Sequence, residues 1–284
     1  MIDMTEIDVP VAGGTLRVVS WPAEGPTVIA AHGITANALA WAPVARALRG
    51  RVHLVAPDLR GRAGSAGLPG PYGLDTHADD LLAVADHFGV TRAPLVGHSM
   101  GGFVVAATAA RHPGRFGPVL MVDGGVALGV PAHLDVDTAL EAVIGPAMRR
   151  LSMTFPSAEA YLDYFRANPA LGRYWNSDLE AYVLRDFTGS GSSCALAAIR
   201  GDAADMLRDP RPADFPLLWA PRGLMDEEGG LYRAEQLAGL DAELVPDVNH
   251  YTILAGAGAA RVAERIHTSL GIEVGSGYMG LPET

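Results

Sequence analysis

The chain has 284 residues, room for one large α/β domain or a core that carries an insertion. Hydrophobic residues make up 49% of it and mean hydropathy is +0.18, enough for a sizeable core and outside the range of disordered chains. The 21 Lys+Arg against 32 Asp+Glu leave a formal charge of −11. An acidic chain without basic clusters argues against nucleic acid and anionic membrane as partners. The single cysteine, Cys194, excludes an internal disulfide framework, and no Cys/His spacing of the zinc type is present, so no metal is expected.

Met1-Ile2-Asp3-Met4-Thr5-Glu6 has neither the basic region nor the apolar stretch of a signal peptide, which reads as a cytoplasmic protein. No uninterrupted apolar run reaches the about 18 residues of a membrane span. Val9 to Trp21 alternates around Gly13-Gly14, the pattern of an opening hairpin. Thr27-Val28-Ile29-Ala30-Ala31 and Val52-His53-Leu54-Val55-Ala56 are short apolar runs suited to buried strands. Leu74 to Phe88 carries a helical pattern with Asp75 or Thr76 as its cap and Gly89 as its stop. A strand and helix flank Ser99, followed by strands at Pro118–Asp123, Phe215–Ala220 and Ala242–Val245, and a last helix over about Ala255–Leu270. Strands alternating with helices predict βαβ units and a mostly parallel sheet.

One stretch breaks the rhythm. Between Gly125 and about Pro212 no buried strand appears, only helical patterns with scattered aromatics: Tyr161, Tyr164, Phe165, Tyr174, Trp175, Tyr182 and Phe187. The expected organisation is a core over residues 1–125 and 213–274, a helical lid over 126–212, and a tail at 275–284. The tail resembles a truncated sortase recognition sequence and is kept out of the fold argument.

Val96-Gly97-His98-Ser99-Met100-Gly101-Gly102 sets a serine between glycines where an apolar run meets a helix. A G-x-S-x-G serine is held there as a nucleophile on a strained turn, and side chains at Gly97 and Gly101 would collide with the neighbouring strand and helix. A serine needs an adjacent base oriented by a carboxylate. His250, in Asp247-Val248-Asn249-His250-Tyr251 after a strand and before the last helix, is the candidate base. Two aspartates compete to orient it: Asp226, beyond the strand that contains Leu217-Leu218-Trp219, and Asp123, ending the strand after the elbow helix. Both preserve the order Ser, Asp, His, so order does not decide. The loops carrying Asp226 and His250 follow successive strands, which predicts that they emerge side by side. The backbone N–H of Met100, and that of Ile34 in His32-Gly33-Ile34, are the candidate oxyanion donors. His32 and His98 read as structural residues, His98 facing the core side of the turn.

With Ala31-His32-Gly33-Ile34, Pro57-Asp58-Leu59-Arg60-Gly61, Gly97-His98-Ser99-Met100-Gly101-Gly102, Gly223-Leu224-Met225-Asp226 and Asn249-His250 in this order, the chain resembles the α/β-hydrolase superfamily in its lid-bearing, esterase-like branch. The resemblance implies an eight-stranded, mostly parallel sheet flanked by helices, and places the acid at Asp226. It implies a serine hydrolase of carboxylic esters, lactones or thioesters, acting without a cofactor on a small apolar substrate. Carbon–carbon hydrolysis, cofactor-independent dioxygenation and a non-catalytic small-molecule receptor remain alternatives on the same fold. One departure stands out. Many relatives continue the Asp-x-Arg-Gly landmark as His-Gly-x-Ser, where this chain has Arg62-Ala63-Gly64-Ser65, a change expected to alter the pocket rim.

Overall fold

The computed structural model describes residues 3–131, 133–208 and 214–273. The tail at 275–284 and the 212/213 boundary lie outside them. The strands β1 (Thr5–Val11), β2 (Gly14–Trp21), β3 (Thr27–Ala31), β4 (His53–Pro57), β5 (Ala93–His98), β6 (Phe116–Val122), β7 (Leu217–Trp219) and β8 (Ala242–Leu244) form one sheet in the order β1-β2-β4-β3-β5-β6-β7-β8. β1 and β2 form the expected antiparallel hairpin, and β2 joins β4 antiparallel. Every later pairing is parallel.

Both faces of the parallel strands are apolar because both are covered. Ile29, Ala31 and Val55 pack with Leu81, Val84 and Val104 on one face. Val28, Ala30, Leu54 and Ala56 pack with Trp41, Val44, Val262 and Ile266 on the other. The covering helices are α1 (Ala42–Ala47), α2 (Leu74–His87) and α3 (Met100–Arg111), together with the last helix. Between β6 and β7 the chain instead forms α4 (Val136–Leu151), α5 (Ala158–Arg166), α6 (Ser177–Asp186) and α7 (Leu196–Arg208), after which α8 (Gly256–Ser269) closes the fold.

The start of α2 differs from the expected Asp75 or Thr76 cap. Gly73, at φ +125, precedes the helix and no side chain of the helix caps it. The donors come instead to α7: Gly73 N–H donates to Asp202 (2.7 Å) and Leu74 N–H to Asp205 (2.9 Å). A cap supplied from about 130 positions away leaves no local signature.

The inserted helices have a small core of their own. Phe155, Tyr161, Leu162 and Val183 are buried, with Tyr164, Phe165, Trp175, Tyr182 and Phe187 packed around them. At its centre the Asp186 carboxylate accepts hydrogen bonds from Arg150 (2.5 Å), from the Tyr161 hydroxyl, and from Ser192 (2.9 Å) and Ser193 (2.7 Å). Burial works against the charge on Asp186, yet the Arg150 guanidinium and these donors hold its carboxyl below the usual range. Asp186→Ala strands a buried guanidinium, a change that typically costs about 3–5 kcal/mol. Hydrogen exchange of that variant should show α4–α6 opening far more readily while β3–β6 keep their protection. Unchanged exchange in those helices would refute this role.

Candidate active site

The parallel strands all end on one edge of the sheet, and the residues singled out from the sequence lie along it. β5 runs into α3 through Ser99, whose backbone sits at φ +55, ψ −123, a conformation that costs about 1–3 kcal/mol and persists only where packing enforces it. The enforcement is steric. A Cβ on Gly97 would lie 2.0 Å from the Gly101 carbonyl oxygen, and one on Gly101 would lie 2.1 Å from that of Ala31. Gly124, just past β6, presses equally close to Ser99: a Cβ there would meet the Ser99 carbonyl oxygen at 2.0 Å. Although Ser99 holds the N-cap position of α3, its hydroxyl does not cap the helix. It borders the cavity instead.

His250 reaches this point by crossing β7. A parallel bridge joins Asn249 to Arg222, just beyond β7, and carries the loop after β8 back toward β5 and β6. There the His250 carbonyl accepts a hydrogen bond from His98 Nε2 (2.8 Å), with the two rings 4.6 Å apart. His98 therefore packs against the histidine loop rather than the core side of its turn. Burial, and then the neighbouring His250, push its pKa well down, so it serves as a neutral donor.

The carboxylate beside His250 differs from the sequence expectation. Asp123 Oδ2, not Asp226, lies 2.6 Å from His250 Nδ1, with Asp123 wholly buried. Its Oδ1 accepts the Ala220 N–H (3.1 Å). The crossing of β7 explains the reversal. By the time the loop reaches His250 it stands over β6, and Asp123, turned by φ +43, meets it there. Asp226 lies beneath the residue before, accepting from Asn249 Nδ2 (3.1 Å) and Arg222 Nε (2.9 Å) and pairing with Arg173 of the inserted segment. Arg222 and the other donors hold its carboxyl below the usual range. The two loops are adjacent, as expected, but the contact runs through Asn249.

His32 is structural, as expected. Leu59 N–H donates to its Nε2 (2.8 Å), so its Nδ1–H donates to the Gly33 carbonyl (2.8 Å). Burial pushes its pKa down to about 3. The turn it anchors brings Gly33 against Ser99, where a Cβ would lie 3.2 Å from the Ser99 Cβ, and sets Ile34 on the cavity wall. Met100 opens α3, so its N–H has no partner within the helix.

Two lobes meet at Ser99 and His250. One, about 790 Å³ counting its mouth, runs past Leu39, Leu179 and Tyr182; the other, about 520 Å³, runs past Phe103, Leu140, Ala203 and Met206. Both are mostly apolar, with Asn176 and Asp178 in the larger, and among the described residues no arginine lines either. The sequence holds no lysine. Of the aromatics noted in the inserted segment, Tyr182 lines a lobe, while Tyr161 and Phe187 pack within the segment. Among the described residues no cluster of three or more His, Cys, Asp or Glu could hold a metal ion, and no helix is long and apolar enough to cross a membrane.

Comparison with known proteins agrees with this fold. Residues 26–192 match the model of the alpha/beta hydrolase fold family, and the chain belongs to that family. It is 30% identical over 247 residues to the 2-(acetamidomethylene)succinate hydrolase of Mesorhizobium japonicum, covering 80% of this chain and 82% of that one. It is 39% identical over 117 residues to a Caulobacter segnis protein named as a carbamate hydrolase, covering 40% of this chain and 44% of the relative. The latter match therefore spans less than half of the relative's length. The crystal structure of E-2-(acetamidomethylene)succinate hydrolase superposes with a TM-score of 0.73 at 21% identity, over 95% of this chain and 100% of that one. That likeness is one of fold.

The close approach of Gly124 to Ser99 carries its own prediction. Gly124→Ala must push the β6 terminus off the elbow, an overpacking cost of about 1–3 kcal/mol. A fall in Tm with displacement of Ser99 in a crystal structure is the expected result; wild-type Tm and an unmoved elbow would refute it.

Proposed function

We propose that the protein is a serine hydrolase that cleaves uncharged carboxylic esters or related acyl compounds through an acyl-enzyme on Ser99. The observation that carries this reading is the buried Asp123–His250 pair, which faces the same cavity as a serine whose hydroxyl is not spent on its helix. His250 Nε2 takes the Ser99 proton as Oγ attacks the acyl carbon, and then gives it to the leaving alcohol. The reverse sequence, with water as nucleophile, frees the acid. Asp123 accepts the Nδ1–H, fixing the tautomer and stabilising the imidazolium. The N–H groups of Met100 and Ile34 receive the developing oxyanion.

The inserted helices act as a lid in this reading, because Leu140, Ile144, Ala203 and Met206 roof the smaller lobe. The lining also speaks to charge. A carboxylate on either side of the scissile bond would enter a mostly apolar lobe in which, among the described residues, no arginine is present to receive it, at a cost of several kcal/mol. The succinate derivative that names one relative is thus a poor model for this chain's substrate.

Two measurements test the reading. On p-nitrophenyl butyrate, Ser99→Ala and Asp123→Asn should each lose about 10⁴-fold in kcat, and Asp226→Asn far less. A fluorophosphonate adduct on another serine, or the reverse ranking of the aspartates, would sink it. For charge, p-nitrophenyl butyrate should exceed mono-p-nitrophenyl succinate by at least about 100-fold in kcat/KM, the equivalent of one unpaired buried charge; equal rates would refute the neutral-substrate assignment.

A further inference from the structure

Arg62 stands where the sequence departs from the family landmark, and it is not at the pocket rim. Its side chain is fully buried. The guanidinium donates in three directions, Nε to the Ile34 carbonyl (3.0 Å), Nη1 to the Arg60 carbonyl (2.7 Å) and Nη2 to the Met100 Sδ (3.7 Å), and forms an ion pair with the Asp202 carboxylate of α7, 2.5 Å from Nη1. Its backbone is fixed by the same loop, since Arg62 N–H donates to the Leu59 carbonyl (3.0 Å) and the Arg62 carbonyl accepts from Ser65 N–H (2.8 Å).

Two of those contacts fall on Ile34 and Met100, the two residues proposed above to supply the oxyanion N–H groups. A planar fork with fixed directions can hold two loops in mutual register, which a flexible ammonium cannot. We propose that Arg62 is a positioning residue: its buried guanidinium ties the Ile34 loop to Met100 so that their N–H groups converge on the oxyanion, and Asp202 of the inserted helices holds the guanidinium in place. The inference rests on the serine-hydrolase reading above.

Asp202 suits that task. It is wholly buried, and its other oxygen accepts the Gly73 N–H (2.7 Å) while His77 lies 3.1 Å away. Burial works against its charge, but the attraction of His77 and Arg62 outweighs this and holds its pKa at about 2. The carboxylate is therefore anchored from α2 as well as α7, and the oxyanion loop is coupled through one side chain to the inserted helices.

The test separates positioning from bulk stability. Arg62→Lys keeps the charge beside Asp202 and removes the fork. Arg62→Met/Asp202→Asn removes both charges together and so avoids an unpaired buried ion. Each variant is titrated with a fluorophosphonate to count reactive Ser99, and kcat and KM on p-nitrophenyl butyrate are expressed per titrated site. Removing an oxyanion donor outright costs about 10²–10³-fold, so misaiming two donors should lower kcat by at least about tenfold with KM within threefold. Affinity for a phenylboronic acid, which mimics the tetrahedral species, should fall by a similar factor. A role confined to stability would lower Tm and leave kcat per site within twofold of wild type, which overturns the proposal. So would a loss carried by KM with boronate affinity unchanged. A wild-type protein that neither labels at Ser99 nor turns over the ester overturns the hydrolase reading and this one together; an active wild type with unaffected variants overturns this one alone.

Discussion

The backbone crossing at Ser99 is the constraint on which the rest of the structure depends. Three chain segments, at Ala31–Gly33, Gly97–Gly102 and Gly124, approach within distances that leave no room for a β-carbon. That crowding holds Ser99 at positive φ, and the parallel pairing of β3, β5 and β6 makes it possible, because strands running the same way end together. The same alignment delivers His32, Asp58, Asp123 and His250 to one edge. A fold that ended these strands at alternate edges would scatter them. The glycines thus store strain at one residue, and burial of the apolar strands on both faces offsets it.

Most of this frame was legible because it is written in short range. The apolar runs over β3, β4, β5 and β6, the hairpin at Gly13, the 74–88 helix and the elbow glycines are each a local pattern with a local physical cause. Ser99 and His250 could be named for that reason: each sits in its own turn between recognisable elements. What escaped was set by tertiary geometry. Strand order along the sheet does not show that the loop after β8 crosses β7, so the loop adjacency that favoured Asp226 was real yet led to Asn249 instead of His250. The cap of α2 escaped likewise, because its acceptors are Asp202 and Asp205.

Arg62 illustrates a different kind of illegibility. A substitution within a landmark is visible in the sequence, and its position beside a loop suggested the pocket rim. A guanidinium in a loop is ordinarily solvated. Its burial here depends on a carboxylate about 140 positions later, on a helix of the inserted segment. The compensating aspartate carries no motif and could be found only once α7 was seen to lie against α2.

The contacts that hold the inserted helices share this character. Arg185 of α6 forks onto Asp58 at the end of β4 (2.7 Å) and reaches Glu6 (2.7 Å). Asp202 meets Arg62 and His77, and Asp226 meets Arg173. The contacts with Asp58 and Arg62, and that between Asp226 and Arg173, join the segment to loops at the carboxyl edge of the sheet, while Glu6 lies on β1 and His77 on α2, so the segment is registered against the site as well as the core. Buried pairs add little net stability when weighed against apolar packing, but breaking one is costly. Such joints therefore favour one seating of the helices, and the segment adds apolar packing to it, with Leu140, Ile144, Ile199 and Ala203 buried in the same core as Phe103 and Val104. The two lobes lie where this packing between segment and core is incomplete, at Ser99 and His250.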